Sequence, residues 1–390
     1  MVEEADALAR ILAAAEPLEP VELPLLEALG FFLPKPVRSV LAHPRFDNSV
    51  VDGYALRVED SGTERQIVGE QPAGRDRALS LGAHEAIRIF TGAPIPAHCT
   101  GVIMQEDVRV EGQRLILQET LDQGENIRPA GADLAAGQLI GRAGERVTPQ
   151  LIGLLASQGL ATASVHRTPT VTVLSTGDEL RPPGTKLAAG ETFNSNSLML
   201  AALLRPLGID AELRHSPDDR SIIEAEIHRA LEQSDVLIIS GGVSVGDHDH
   251  VRPALKACGV ALDLWRIRMK PGKPLAFARA GKKLIFGLPG NPVAAFVTFQ
   301  VLLRPALLQM LGAQDEERFL PQKPVRLESA LSNPGDRPHY LRGRVENGLF
   351  VSHGLQESHA LYGLSQSKAL LRLEAGESLA AGSERFALTW

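Results

Sequence analysis

Cysteine is nearly absent from this chain. Two in 390 residues, Cys99 and Cys258, stand far apart and in no metal-ligand spacing. They are expected as reduced thiols, which excludes a disulfide framework and a cysteine-bound zinc site. An excess of basic charge is also missing. Lys plus Arg is 40 against 47 for Asp plus Glu, a formal net charge of −7. A general nucleic-acid binder, which carries a basic face, is therefore not expected. The chain opens with Glu3, Glu4 and Asp6 in place of a basic start, so no secretory signal is expected and a cytoplasmic location is. The longest apolar stretch, residues 293–311, is interrupted by Arg304 and Pro305 and reads as a buried helix, with no membrane partner expected. Two phosphate-binding signatures are missing as well: no Gly-Lys-Ser/Thr closes a P-loop, and no Gly-x-Gly-x-x-Gly follows a strand. No long internal repeat, low-complexity tract or coiled-coil segment is visible.

What is present is a 44% hydrophobic, 22% charged chain with mean hydropathy near zero, long enough for two to four domains. Residues 1–30 suggest a short acidic helix and a proline-marked extended segment. From about 36 to 147, short Val/Ile runs at 66–69, 86–90, 101–110 and 114–118 are separated by Gly and Pro turns, which predicts β structure. The style changes at Thr148-Pro149, a helix start that runs to Gly159. Strand-like runs at 171–175, 236–240 and 284–287 then alternate with helical stretches at 197–204, 216–233, 250–258 and after Asn291-Pro292. Strand, glycine loop and helix in repetition is the pattern of a parallel α/β sheet, whose ligands sit beyond the carboxyl ends of the strands. After residue 318 short alternating runs return, at 323–327, 341–345, 349–352 and 369–373, and predict a small β domain.

Chemistry concentrates in a few loops. Ser175-Thr176-Gly177-Asp178-Glu179-Leu180 follows a strand and offers hydroxyls and two acids. Ser240-Gly241-Gly242-Val243-Ser244-Val245-Gly246-Asp247-His248-Asp249 follows another. Its glycines let the backbone approach an anion, and Asp247 and Asp249 are hard oxygen donors suited to Mg²⁺. Met269-Lys270-Pro271-Gly272-Lys273-Pro274, after Arg266 and Arg268, puts four cations within a few positions of a stiff loop, which suits an oxyanion. If residues 264–270 are extended, Arg266, Arg268 and Lys270 share one face. Gly287-Leu288-Pro289-Gly290-Asn291-Pro292 fits a helix start. In the N-terminal β region, Asp47-Asn48-Ser49-Val50-Val51-Asp52-Gly53-Tyr54-Ala55, Thr91-Gly92-Ala93-Pro94-Ile95-Pro96 and Ala130-Gly131-Ala132-Asp133 read as turns with binding chemistry.

Taken in order, these loops resemble the MoeA family, relatives of the gephyrin E domain, over about residues 10–380. The resemblance implies a multidomain α/β plus β fold. A linker and dimerisation domain would span 1–45 and 137–166, a β-rich domain 46–136, an α/β molybdopterin-binding domain 167–314 and a small barrel-like β domain 315–390. It implies a molybdopterin molybdenumtransferase that inserts molybdate into adenylylated molybdopterin, releases AMP and uses Mg²⁺. It also implies a homodimer with a cleft shared between subunits, and contact with the molybdopterin adenylyltransferase and with recipient molybdoenzymes. Carried over by position, the catalytic acids are Asp52, Asp133, Glu179, Asp218 and Asp249, with Asp52 and Asp249 on the metal. Thr91, Ser175, Gly241, Gly242, Ser244, Pro289 and Pro292 would line the pterin substrate, and Lys270, Lys273, Pro274, Arg342 and Ser358 the molybdate. Val50-Val51, Arg266 and Asp247-His248-Asp249-His250 depart from the commoner residues of the pattern. Two alternatives stand beside this reading. A molybdopterin adenylyltransferase would adenylylate the pterin from ATP, and a gephyrin-like scaffold would bind peptide without turnover.

Overall fold

The computed structural model describes residues 1–242 and 250–390. They divide into two compact units: one holds 36–142 and 154–160, the other 1–35, 143–153 and 161–390. The acidic start forms helix α1 (Glu4–Ala14) of the larger unit, with Ala7 and Ile11 on its buried face.

The smaller unit is built on a six-stranded sheet of β1 (Gly53–Leu56), β2 (Glu64–Gln71), β3 (Glu85–Ile89), β4 (Gly101–Met104), β5 (Val108–Glu111) and β6 (Arg114–Leu117), ordered β4-β1-β3-β2-β6-β5. Only β2 and β3 run parallel. The continuous strand read over 101–110 is broken by a short turn at Gln105–Asp107. Gly53 is required where β1 meets β4, because a Cβ there would lie 2.0 Å from the carbonyl oxygen of Ile103.

Helix α2 (Pro149–Ser157) opens as its sequence suggests, with Thr148 Oγ1 accepting from Leu151 N at 3.2 Å. The larger unit then lays down β7 (Val171–Thr176), α3 (Ser195–Leu204), β8 (Ala211–Ser216), α4 (Arg220–Gln233), β9 (Val236–Ser240), α5 (Val251–Ala257), β10 (Leu262–Trp265), β11 (Ala276–Ala280) and β12 (Lys283–Leu288). The sheet order is β8-β7-β9-β12-β11-β10. The first four strands are parallel, as expected; β11 and β10 close one edge antiparallel. Val236-Leu237-Ile238-Ile239 is apolar throughout because both faces of β9 are covered. Val236 and Ile238 pack with Ile11, Leu200 and Leu303; Leu237 and Ile239 pack with Ile223, Ile227 and Leu255. Each such aliphatic side chain contributes roughly 1.5–3 kcal/mol on burial.

The apolar 293–311 segment is a core helix in three pieces: α6 (Pro292–Thr298), a π-type turn at Phe299–Leu303, and α7 (Arg304–Met310). It is long and apolar enough to cross a membrane, but 83% of its most apolar window is buried inside the protein. Pro305 has no N–H for the carbonyl four residues back, and the helix accommodates this by widening just before it. A closed barrel of β13 (Gln322–Leu327), β14 (His339–Glu346), β15 (Leu349–Ser352), β16 (Ala369–Leu373) and β17 (Glu384–Thr389) follows, with a one-turn helix, α8 (Leu361–Ser365), between β15 and β16.

Candidate functional site

The carboxyl ends of β7, β9 and β12 open into a cavity of about 280 Å³. Its wall takes Thr176 and Glu179 from the loop after β7, and Ser240 and Gly241 from the end of β9. Gly290 and Pro292 come from the β12–α6 turn, Asn194–Asn196 from the start of α3, and His359 and Leu361 from the barrel. Two buried wall atoms, Thr176 Oγ1 and Asn196 Oδ1, have no hydrogen-bond partner among the described residues. A buried polar atom left so costs about 1–3 kcal/mol, which a polar ligand would recover. A larger groove of about 710 Å³ on the barrel, lined by Val325, Arg326, Leu349 and Phe386, has no such atom in its wall. Chemistry, not size, therefore picks out the strand-end cavity.

Local sequence explains the wall. Asn194 caps α3 by accepting from Ser197 N at 3.2 Å, and its amide donates to Ser175 Oγ at 2.7 Å. Ser175 Oγ in turn donates to Arg214 O at 3.1 Å. Ser175 is therefore a strut between β7, β8 and the α3 cap. Thr176, one residue on, carries the hydroxyl that has no partner among the described residues. Asn196 Nδ2 donates to Ser240 Oγ at 3.1 Å and to Gly290 O at 2.7 Å, which ties two strand ends together. Gly242 sits at φ +65°, and a Cβ there would meet Val251 Cγ2 at 2.6 Å and Thr176 Oγ1 at 2.8 Å. Ser244, Asp247 and Asp249 lie outside the described residues.

Asn291 precedes α6 as expected, but its side chain makes no cap bond. Instead Nδ2 donates to Ser358 Oγ at 2.8 Å, and Val293 N donates to Ser358 O at 3.2 Å. Pro289 is buried behind this turn while Pro292 reaches the cavity. Arg342, on β14, is 1% exposed. Its guanidinium donates to the carbonyls of Ala360 at 3.0 Å, Glu357 at 3.1 Å and Leu355. Arg342 thus holds the 355–360 loop, and with it Ser358 and the cavity residue His359, instead of presenting open donors.

The basic loop differs from its expected geometry. β10 ends at Trp265, and Arg266 takes φ +71°, so strand alternation does not carry through to Lys270. Arg268 pairs with Glu3 at 3.1 Å and donates to Asp336 O at 2.8 Å, making it a tether to α1 and the barrel. Lys270 and Lys273 are exposed, Pro274 half-buried. Among the described residues neither ammonium has an acidic partner, whereas Lys282 does, in Glu16. Lys270 is fixed by its backbone: its N–H donates to Pro338 O and its carbonyl accepts from Tyr340 N, both at 2.8 Å.

Asp218 was expected at a helix start; the cap is Asp219, whose Oδ1 accepts from Ser221 N and Ile222 N. Asp218 instead meets Asp178. Its N–H donates to Asp178 Oδ1 at 3.1 Å, and the Asp178 N–H donates back to Asp218 Oδ2 at 3.4 Å. In the smaller unit, Asp52 Oδ1 accepts from Thr91 N at 2.7 Å and from Thr91 Oγ1 at 2.9 Å. The Thr91 N–H, then its hydroxyl, and then nearby Arg88 hold the Asp52 carboxyl below its usual range. Asp133 is exposed beside the His43–Leu134 bridge. Among the described residues no group of three or more His, Cys, Asp or Glu gathers as a metal site.

Residues 2–159 match the MoeA N-terminal region (domain I and II), 172–309 a family described as "probable molybdopterin binding domain", and 324–385 the MoeA C-terminal region (domain IV). A relative in Mycobacterium tuberculosis, molybdopterin molybdenumtransferase 2, is 35% identical over 381 residues, covering 94% of each chain. The chain belongs to the MoeA family of molybdopterin molybdenumtransferases. A molybdopterin molybdenumtransferase of Nostoc is 36% identical over 91% of this chain and 85% of its own. The solved molybdopterin biosynthesis MoeA protein of Pyrococcus horikoshii superposes with a TM-score of 0.88 at 29% identity, covering 100% of this chain and 99% of that one. The MoeA-region matches take in Asp52, Thr91 and Asp133 and Arg342 with Ser358, and the match to the probable molybdopterin binding domain takes in the cavity wall from Thr176 to Pro292 and the Lys270–Pro274 loop. The sequence did not single out Thr176, Asn196 and His359 as site residues. Asn196 carries a signal of its own, an amide in the first turn of a helix that follows a polar loop.

Proposed function

We propose that this protein inserts molybdate into adenylylated molybdopterin, releases AMP and so produces molybdenum cofactor. The observation that carries the reading is the strand-end cavity with two buried polar atoms that have no partner among the described residues. It supports a substrate with hydrogen-bonding edges. Thr176 and Asn196 would orient that substrate, and the Asn291–Ser358 contact would keep the barrel side of the cavity in place. Lys270 and Lys273, two ammoniums on a stiff loop with no carboxylate partner among the described residues, suit a small dianion and would dock molybdate with Pro274. Arg342 and Ser358 act there through the 355–360 loop.

Mg²⁺ belongs to the same proposal. Asp52 fits it as one ligand: its carboxyl is held ionised, and Oδ1 is spoken for by Thr91 while Oδ2 accepts no described donor. Mg²⁺ commonly takes one or two carboxylates and completes its shell with substrate phosphates and water. When bound, the ion would neutralise the pyrophosphate charge. The Asp52–Thr91 acid and the Lys270–Lys273 cations are carried by different units, which motivates a homodimer as the working form, placed in the cytoplasm. An active monomer in light scattering at assay concentration defeats the dimer. Transient contact with the adenylyltransferase that makes the substrate, and with molybdoenzymes that take the product, belongs to the same reading.

The deciding assay incubates the protein with adenylylated molybdopterin and Mg²⁺ and follows AMP with and without molybdate. Molybdate-dependent AMP release is expected. ATP-dependent adenylylation of molybdopterin by the pure protein would move the assignment to an adenylyltransferase.

A further inference from the structure

His339 is the first residue of β14 and is only 6% exposed. Among the described residues its Nε2 has no hydrogen-bond partner, although it is buried. The backbone of Lys270 clasps this position on both sides, through Pro338 O and Tyr340 N. Arg337, two residues before it, leans on the same loop with Nη1 3.5 Å from Met269 O. Arg342 follows on its own strand. The other charged groups of the neighbourhood are already matched. Glu4 of α1 takes the Tyr340 hydroxyl and Arg372 of β16, and Glu3 takes Arg268. Asp336 is taken by Arg337 at 3.3 Å. Among the described residues the imidazole therefore sits near three cations, Lys270, Arg342 and Arg337, with no acid as its own partner. Burial first, then Lys270, Arg342 and Arg337, push its pKa down to about 4.

We propose that His339 is a further residue of the anion site, neutral while the Lys270–Lys273 loop is empty and protonated when a tetrahedral dianion docks there. The inference rests on the reading of that loop as the oxyanion site. A dianion offsets the repulsion from the cations, and its own negative charge works against the cost of burying an imidazolium. The proton comes from solvent and settles on a ring nitrogen, and the imidazolium then has N–H groups to donate on both sides. Binding becomes coupled to uptake of one proton, so affinity rises as pH falls between the bound and free values of the imidazole. If the bound ring returns to the ordinary value near 6.5, affinity at pH 5.5 exceeds that at pH 8 by about tenfold.

The test uses the full-length protein and two probes: sulfate, which stays unprotonated across this range, and molybdate at concentrations low enough to remain monomeric. Titration calorimetry in buffers of different ionisation enthalpy counts protons. The expected result is close to one proton taken up per anion at pH 5.5 and almost none at pH 8. His339→Gln should bind the anion equally at both pH values with no uptake. Nitrogen NMR of the wild-type histidines, with and without sulfate, reads the same protonation without any variant. Binding without proton uptake, or uptake undiminished in His339→Gln, overturns this inference alone. Failure of both anions to bind the wild-type protein at either pH overturns the loop assignment and this inference with it.

Discussion

Replacing Arg342 with alanine removes a buried guanidinium that holds three carbonyls of one loop, those of Leu355, Glu357 and Ala360. Taken at roughly 1.5 kcal/mol for each charge-assisted bond, the loss is about 4.5 kcal/mol, before any cavity is counted. Arg342→Lys should recover only part of it, because one ammonium on a flexible stem cannot reproduce a planar fork. The damage should be local at first. The 355–360 loop loses its inner anchor, Ser358 parts from Asn291, and amides from 355 to 361 exchange faster with solvent. Two measurements read this: a melting curve, and hydrogen exchange mapped by peptide. A melting point within about one degree of the wild type, with unchanged exchange in the loop, would refute the argument that Arg342 acts by holding backbone. Activity adds a second readout. Lower AMP release should accompany faster exchange in the same variant, and Arg342→Lys should lie between the extremes in both.

Lys273→Ala should raise the molybdate concentration at half-maximal AMP release while adenylylated pterin still binds, and excess molybdate should restore much of the rate; an unchanged half-saturation point would show that the loop is not the anion site. Asp52→Asn should lower turnover by about 10²–10³-fold, the scale of removing a key electrostatic group, with Mg²⁺ dependence weakened; near-normal turnover would take Asp52 out of the metal site. Asp235 gives a pH prediction for stability. Burial works to raise its carboxyl, but Arg167 at 2.6 Å and Thr170 outweigh it, and the folded value lies below the usual one. Its stabilisation is therefore complete above the ordinary aspartate value near 4 and is lost as pH falls through the lower folded value, so Asp235→Asn should melt earlier than the wild type at pH 7 and converge with it in acid, and parallel curves would contradict this.

The legible part of this protein was the part with a period. Val236–Ser240 could be read as a strand from its unbroken apolar run, and Gly241-Gly242 as a close approach, which the space between Val251 and Thr176 requires. The loops carrying Asp52, Thr91 and Lys270 announced themselves by unusual polar residues between turns. The less legible part depended on partners distant in sequence. Nothing local in Arg342 says that its charge turns inward, since its acceptors are the carbonyls of Leu355, Glu357 and Ala360, at least 13 residues further along the chain. Arg266 would share a strand face with Arg268 and Lys270 only if residues 264–270 were extended, and its positive φ, one residue past the end of the strand at Trp265, breaks that condition. Ser175 and Thr176 are chemically near-equivalent on paper. Only the neighbours Asn194 and Arg214 decide that the serine is consumed, while among the described residues the threonine has no partner.

The π-type turn at Phe299–Leu303 has a consequence for how the long core helix tolerates change in length. One extra residue in a turn advances everything after it by about 100° around the axis. The sequence from Arg304 onward is written for that rotated phase: Ala306 and Leu307 face the α1 side of the core, while Leu308 and Leu311 join Phe32 in a separate cluster. Deleting one residue between 299 and 303 would make the helix more regular and at the same time turn each of those side chains toward the wrong neighbour. The irregularity therefore works as a phase shifter between two packing surfaces, and regularising it destroys the register it was built to supply.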